Sequence, residues 1–140
     1  MATMTRQRYA DMFGPTTGDR IRMGDTSLLA RVESDSIIPG EESITGVGKT
    51  LRDGNGIDGS ALLAGGALEV VLSNVVMMCP VQGIRKCDIG IRDGRICAIG
   101  KAGNPAVMAG VSPGMTIGPG TKHLSGQGMI ATPGGIDVHS

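Results

Sequence analysis

Lys86-Cys87-Asp88-Ile89-Gly90-Ile91-Arg92, then Asp93-Gly94, then Arg95-Ile96-Cys97-Ala98-Ile99-Gly100: two alternating apolar runs joined by Asp-Gly decide the class of this fold. Asp-Gly between such runs marks a two-residue hairpin, because both turn positions require positive φ. Extending that register puts Ile91 opposite Ile96 and Ile89 opposite Ala98 on one buried face. Cys97 then opposes Gly90, so Cys87 and Cys97 are not placed to bridge. Upstream, Leu68 to Met78 is rich in Val, Leu and Met, long enough for one buried strand with a break near Ser73-Asn74. Pro80-Val81-Gln82-Gly83 turns that strand back. Downstream, Lys101 to Pro119 reads as a loop with three prolines, and Thr121 to Leu124 with Met129 to Ala131 as a last pair of short strands. The chain is mainly β.

Toward the N-terminus, Thr5 can cap one short helix from Arg6 to Phe13, with Tyr9, Met12 and Phe13 toward one face and Gly14-Pro15 as the stop. Both aromatic residues of the chain lie here, which suggests that the helix anchors against something large. Arg20-Ile21-Arg22-Met23, the turn Gly24-Asp25-Thr26-Ser27 and Leu28 to Val32 read as a hairpin. Residues 33–66 show no sustained periodicity. Two nucleotide-binding fingerprints surface there and fail. Gly46-Val47-Gly48-Lys49-Thr50 lacks the glycine five residues before Gly48, where Ser43 stands. Gly54-Asn55-Gly56-Ile57-Asp58-Gly59 follows no buried strand and has no acidic ribose partner within a βαβ unit. A glycine-rich surface loop is the reading for both.

The 140 residues fit one domain, yet hold one Phe, one Tyr, no Trp and 24 glycines. Burial rests on Val, Ile, Leu, Ala and nine Met, while glycine raises the entropy cost of ordering. Such a chain is expected to lean on a partner or on further sequence. Thirteen basic residues balance thirteen acidic ones, which gives no field for nucleic acid or an anionic membrane. No apolar run approaches the ~18–20 residues of a membrane span. The first eight residues lack a signal-peptide core, so the expected compartment is cytoplasmic. Three cysteines without C-x-x-C spacing read as reduced, partly buried thiols.

The chemistry-bearing stretch is the last one, Ile130-Ala131-Thr132-Pro133-Gly134-Gly135-Ile136-Asp137-Val138-His139-Ser140. Imidazole is the commonest nitrogen ligand of transition metals, which makes His139 the candidate metal ligand. The plain alternative is an exposed polar residue at a frayed end, since a minimal catalytic site needs about three protein ligands. His123 alternates with Lys122 on a short strand and reads as solvent-exposed. The two histidines share no metal-type spacing. No residue is assigned a catalytic role.

Taken together, the chain resembles the N-terminal portion of the large (alpha) subunit of urease, in the amidohydrolase superfamily. The resemblance rests on Arg8-Tyr9-Ala10-Asp11-Met12-Phe13-Gly14-Pro15-Thr16-Thr17-Gly18-Asp19, Lys49-Thr50-Leu51-Arg52-Asp53-Gly54, Cys87 to Ile96, Ile99-Gly100-Lys101-Ala102-Gly103-Asn104-Pro105 and Gly134-Gly135-Ile136-Asp137-Val138-His139. It implies a β-rich N-terminal domain over residues 1–132 and the start of the first strand of a (β/α)8 barrel over residues 133–140. The rest of that barrel falls after Ser140. It also implies two Ni(2+) ions per complete active site, bound partly by a His-x-His pair whose first member His139 matches. The second histidine, the bridging lysine, the other ligands and the acid–base histidine fall downstream. A strand's period of two lets both rings of such a pair reach one ion.

The expected function is therefore a contribution to nickel-dependent hydrolysis of urea to ammonia and carbamate, in company with the remaining alpha sequence and the beta and gamma subunits. The match begins almost at Met1, which resembles the arrangement with separate subunits. These 140 residues alone are expected to be inactive, because a barrel needs roughly 250 residues. The alternative is a non-catalytic fragment acting as a structural or assembly module. A dihydroorotase-like or hydantoinase-like enzyme is a weaker third reading.

Overall fold

The computed structural model describes residues 3–43, 45–46, 49–50 and 56–139, with side chains outside 44–55. Its frame is one antiparallel hairpin of two ten-residue strands, β6 (Val70–Cys79) and β7 (Gly83–Arg92). The turn between them is the expected one at Pro80–Gly83. The expected break in the first strand is a bulge: the register shifts between Leu72 and Val75, and Asn74 takes φ 55°. Asparagine tolerates this left-handed conformation better than most residues.

Each outer edge of the hairpin carries two short strands end to end. On β6 both run parallel to it: β9 (Lys122–Ser125) beside Val70 to Ser73, and β10 (Ile130–Ala131) beside Val76 and Met77. Sequence reasoning expected these two to form a pair with each other; the bulge instead divides the edge of β6 into two seats. On β7, β8 (Arg95–Gly100) pairs antiparallel with Asp88 to Arg92, and β3 (Ser34–Asp35) pairs parallel with Arg85 and Lys86. A separate ribbon joins β1 (Arg20–Arg22) to β2 (Leu29–Arg31), as expected. A second small ladder links β4 (Thr45–Gly46) to β5 (Lys49–Thr50). The two glycine-rich runs therefore fall partly outside the described residues.

The Asp93-Gly94 turn has the expected positive φ at both positions, 53° and 68°. Its register departs from expectation one step later. Ile91 opposes Ile96, but Gly90 opposes Ala98 and Ile89 opposes Ile99. Cys97 is the extra residue of a bulge, and its thiol donates to the Gly90 carbonyl at 3.4 Å. Ile96 is 62% exposed, so the Ile91–Ile96 pair does not share a buried face. All three cysteines are free: Cys87 buried, Cys79 half-buried and Cys97 exposed.

Both faces of the hairpin are covered. Val75, Met77, Cys87 and Ile89 pack on one face, with Leu72 and Ile99 against them. On the other, Leu68, Val71, Ala102, Met115 and Ile117 form a second cluster under the loop of residues 101–119. Gly90 lies beneath it. A Cβ there would meet Leu68 and Met115 at 2.7 Å, so the close approach requires glycine. The rest of that face carries Lys86 and Asp88 and is covered by α1 (Arg6–Phe13) and the chain around Asp35 and Glu42. The α1 cap is as expected: Thr5 Oγ1 accepts from Arg8 N–H at 3.2 Å, and Gly14 ends the helix at φ 84°. None of its residues is buried. Among the described residues no helix is long and apolar enough to cross a membrane.

Candidate functional site

After Ala131 the chain leaves the sheet. Residues 132–139 join no ladder, and all of them are exposed. His139 lies there, and its backbone N–H donates to Asp137 Oδ1 at 2.8 Å in a local turn. Among the described residues no group of three or more His, Cys, Asp or Glu side chains is placed to hold a metal ion. One imidazole suits nickel as a donor, but one donor is not a site. The described residues do not by themselves amount to a nickel centre.

His123 overturns its expectation of exposure. It sits on β9, whose pairing to β6 turns its ring inward, and it is 8% exposed. Ring Nε2 lies 2.5 Å from Ser73 Oγ, and burial holds the imidazole pKa below its usual value. The alternation with Lys122 identified two faces correctly. It could not show that the His123 face is the covered one.

The densest electrostatics of the molecule lie beneath α1. Lys86 has no exposed surface, and its ammonium stands 3.8 Å from Asp35 Oδ2 and 4.8 Å from the centre of the Tyr9 ring. Burial drives the Lys86 pKa down, against the opposing pull of Asp35, Glu42, Asp88 and Asp19. Tyr9 donates its hydroxyl to Glu42 Oε1 at 2.7 Å, and burial with that carboxylate beside it raises the phenol pKa. Asp35 also accepts from Thr16 Oγ1 and Ile37 N–H at 2.7 and 2.8 Å. Asp88 accepts from Asn74 N–H at 2.9 Å and Ala102 N–H at 2.8 Å, so it ties the β6 bulge to the loop after β8. Burial outweighs those bonds and pushes its pKa up to about 6.

At the rim, Arg6 pairs with Asp19 at 2.7 Å. Burial alone would raise the Asp19 pKa, but the Thr16 N–H and Arg6 bring it below the usual range. Behind the loop, Lys101 reaches Glu41 and the Ala109 carbonyl, which clamps residues 101–112 to the chain around Glu41. The Cys87 thiol is pushed up to about 12 by burial, which makes it inert.

Sequence reasoning missed Lys86, Asp88 and Glu42 as buried groups. Charges at alternate strand positions ordinarily mark the solvent face. The available signal was the placing of both aromatic residues on α1, since Tyr9 is the group that covers Lys86. The cluster is full: its cation is Lys86 itself. It positions α1, β3 and β7.

Comparison with known proteins identifies the lineage. The family described as urease alpha-subunit, N-terminal domain, matches residues 2–124. The urease subunit alpha of Laribacter hongkongensis is 53% identical over 139 residues, which is 99% of this chain and 24% of that protein. The urease subunit alpha of Natronomonas pharaonis is 54% identical over 137 residues, 98% of this chain and 24% of its own length. That of Yersinia enterocolitica is 50% identical over 139 residues, again 24% of its length. The chain thus spans about a quarter of the length of the curated relatives it matches. On that near-continuous match, the chain belongs to the urease alpha-subunit family, as its N-terminal domain.

Proposed function

We propose that this chain is the leading part of a urease alpha subunit and serves nickel-dependent hydrolysis of urea to ammonia and carbamate. It does so in the cytoplasm, joined to the remaining alpha sequence and to beta and gamma subunits. Its own task is structural delivery. The hairpin β6–β7 seats β10, and the chain beyond β10 carries His139 toward the rest of the subunit, where His139 serves as one nickel ligand. The observation that carries this reading is the 53% identity across 99% of the chain to a protein named urease subunit alpha.

The test uses the complete alpha subunit, co-expressed with its partner subunits in nickel-supplemented medium. Urea hydrolysis and nickel content per alpha subunit are measured for wild type and His139→Ala. Wild type is expected to hydrolyse urea, and the variant to lose most of its nickel. Failure of the wild-type assembly to act on urea overturns the function, and undiminished nickel in the variant overturns the ligand role.

A further inference from the structure

The ribbon β1–β2 stands apart from the main sheet. Its register pairs Arg20 with Arg31, Ile21 with Ala30 and Arg22 with Leu29. Period two places Arg20, Arg22, Leu29 and Arg31 on one face, and all four are exposed, whereas Ala30 on the other face is buried. The Val32 N–H donates to the Asp19 carbonyl at 2.9 Å and the Met23 N–H to the Leu28 carbonyl at 3.0 Å, one bond at each end of the ribbon. Bonded and non-bonded pairs alternate in an antiparallel ladder, so Ile21 and Ala30 are a bonded pair and the two arginine-containing pairs are not.

Two things follow from that alternation. Non-bonded pairs bring side chains closest, which sets Arg20 and Arg31 as like charges directly opposite each other, a destabilising arrangement. Among the described residues none of the three arginines has a side-chain hydrogen bond or ion pair to offset it. In addition, the backbone N–H and carbonyl of Leu29 and Arg31 point outward, along the open edge of β2. A groove of about 510 Å³ follows that edge, lined by Leu29, Ala30, Arg31, Glu33 and Ile84. The one carboxylate in it, Glu33, is already taken by the Ile84 N–H at 2.7 Å.

We propose that the outer edge of β2 receives an extended segment of a partner polypeptide that carries carboxylates at alternate positions. Main-chain bonds to Leu29 and Arg31 supply the pairing, and the alternate side chains supply the selectivity. A carboxylate opposite Arg31 meets its guanidinium directly, with Arg20 one strand spacing (~4.8 Å) beyond. Nucleic acid suits this edge less well. It needs a broad basic field, and the chain balances thirteen basic residues with thirteen acidic ones. The proposal does not rest on the urease reading.

The probe is a fluorescent decapeptide alternating Glu and Val, titrated into the full chain by anisotropy beside its Lys and Val counterpart. The Glu peptide is expected to bind in preference, with its largest amide shifts in NMR spectra at Leu29 and Arg31. Arg31→Glu is expected to raise its Kd about tenfold, and the length-preserving Arg31→Gln by less. Both variants are checked for an unchanged circular dichroism spectrum. Equal binding of the two peptides, an unchanged Kd in both variants, shifts elsewhere on the chain, or tighter binding of a single-stranded decanucleotide would each overturn the proposal.

Discussion

Asp88 accepts two backbone N–H groups and yet holds its proton more tightly than a free carboxyl, with its pKa up at about 6 against the ordinary 3.8. Desolvation wins because the group is wholly buried. A raised folded-state pKa contributes stability that is present in full below the unfolded value and is lost as pH rises through the folded one. That places the loss between about pH 4 and 6, and two pKa units correspond to about 3 kcal/mol. His123 acts in the opposite sense: its depressed pKa costs stability in acid and gives it back as pH rises toward 6.5. The two overlap, so the slope of the wild type alone does not isolate Asp88. Asp88→Asn does. Urea unfolding at pH 4.5 and 7 is expected to show the wild type losing more stability, or gaining less, on that rise than the variant. Identical pH dependence in the two proteins refutes the assignment. Nothing in the sequence announced Asp88, because its alternation with Ile89 and Ile91 put it on the face expected to meet solvent.

α1 has no buried residue, and a helix of eight residues gains little from its own hydrogen bonds. What holds it is Tyr9, through the ring beside Lys86 and the hydroxyl on Glu42, together with Arg6 on Asp19. Tyr9→Phe keeps the ring and removes one hydrogen bond, worth about 1 kcal/mol. Amide exchange across α1 is expected to speed up roughly 5-fold while the β6–β7 amides keep their protection. Lys86→Met is harsher, since it leaves Asp35 and Glu42 without their buried cation, and a broken buried pair costs about 3–5 kcal/mol. Exchange in α1 unchanged by both substitutions shows that the helix is held otherwise. At this scale much was legible. The Thr5 cap, the Gly14 stop, the ribbon and both hairpin turns follow from local rules about φ and hydrogen bonding. What local rules could not carry was register beyond one bulge, as at Cys97, or the sharing of one edge of β6 by β9 and β10. Both are settled by packing between distant segments.

Across the whole molecule, every strand of the main sheet stacks on the β6–β7 hairpin, and the charged residues turned inward serve to hold that stack together. None of them is gathered around an open cavity with metal-binding chemistry among the described residues. His139 meanwhile lies on a segment in which Ile136 and Val138, apolar residues at alternate positions, are 88% and 91% exposed. On the proposed role, His139 is one donor, and a metal centre needs about two more protein ligands in a fixed geometry. Titrated with nickel, the chain alone is expected to show only the weak binding of a single exposed imidazole, abolished by His139→Ala, and no hydrolysis of urea above the buffer rate. A tight stoichiometric nickel complex, or measurable ammonia release from the chain alone, would overturn that expectation.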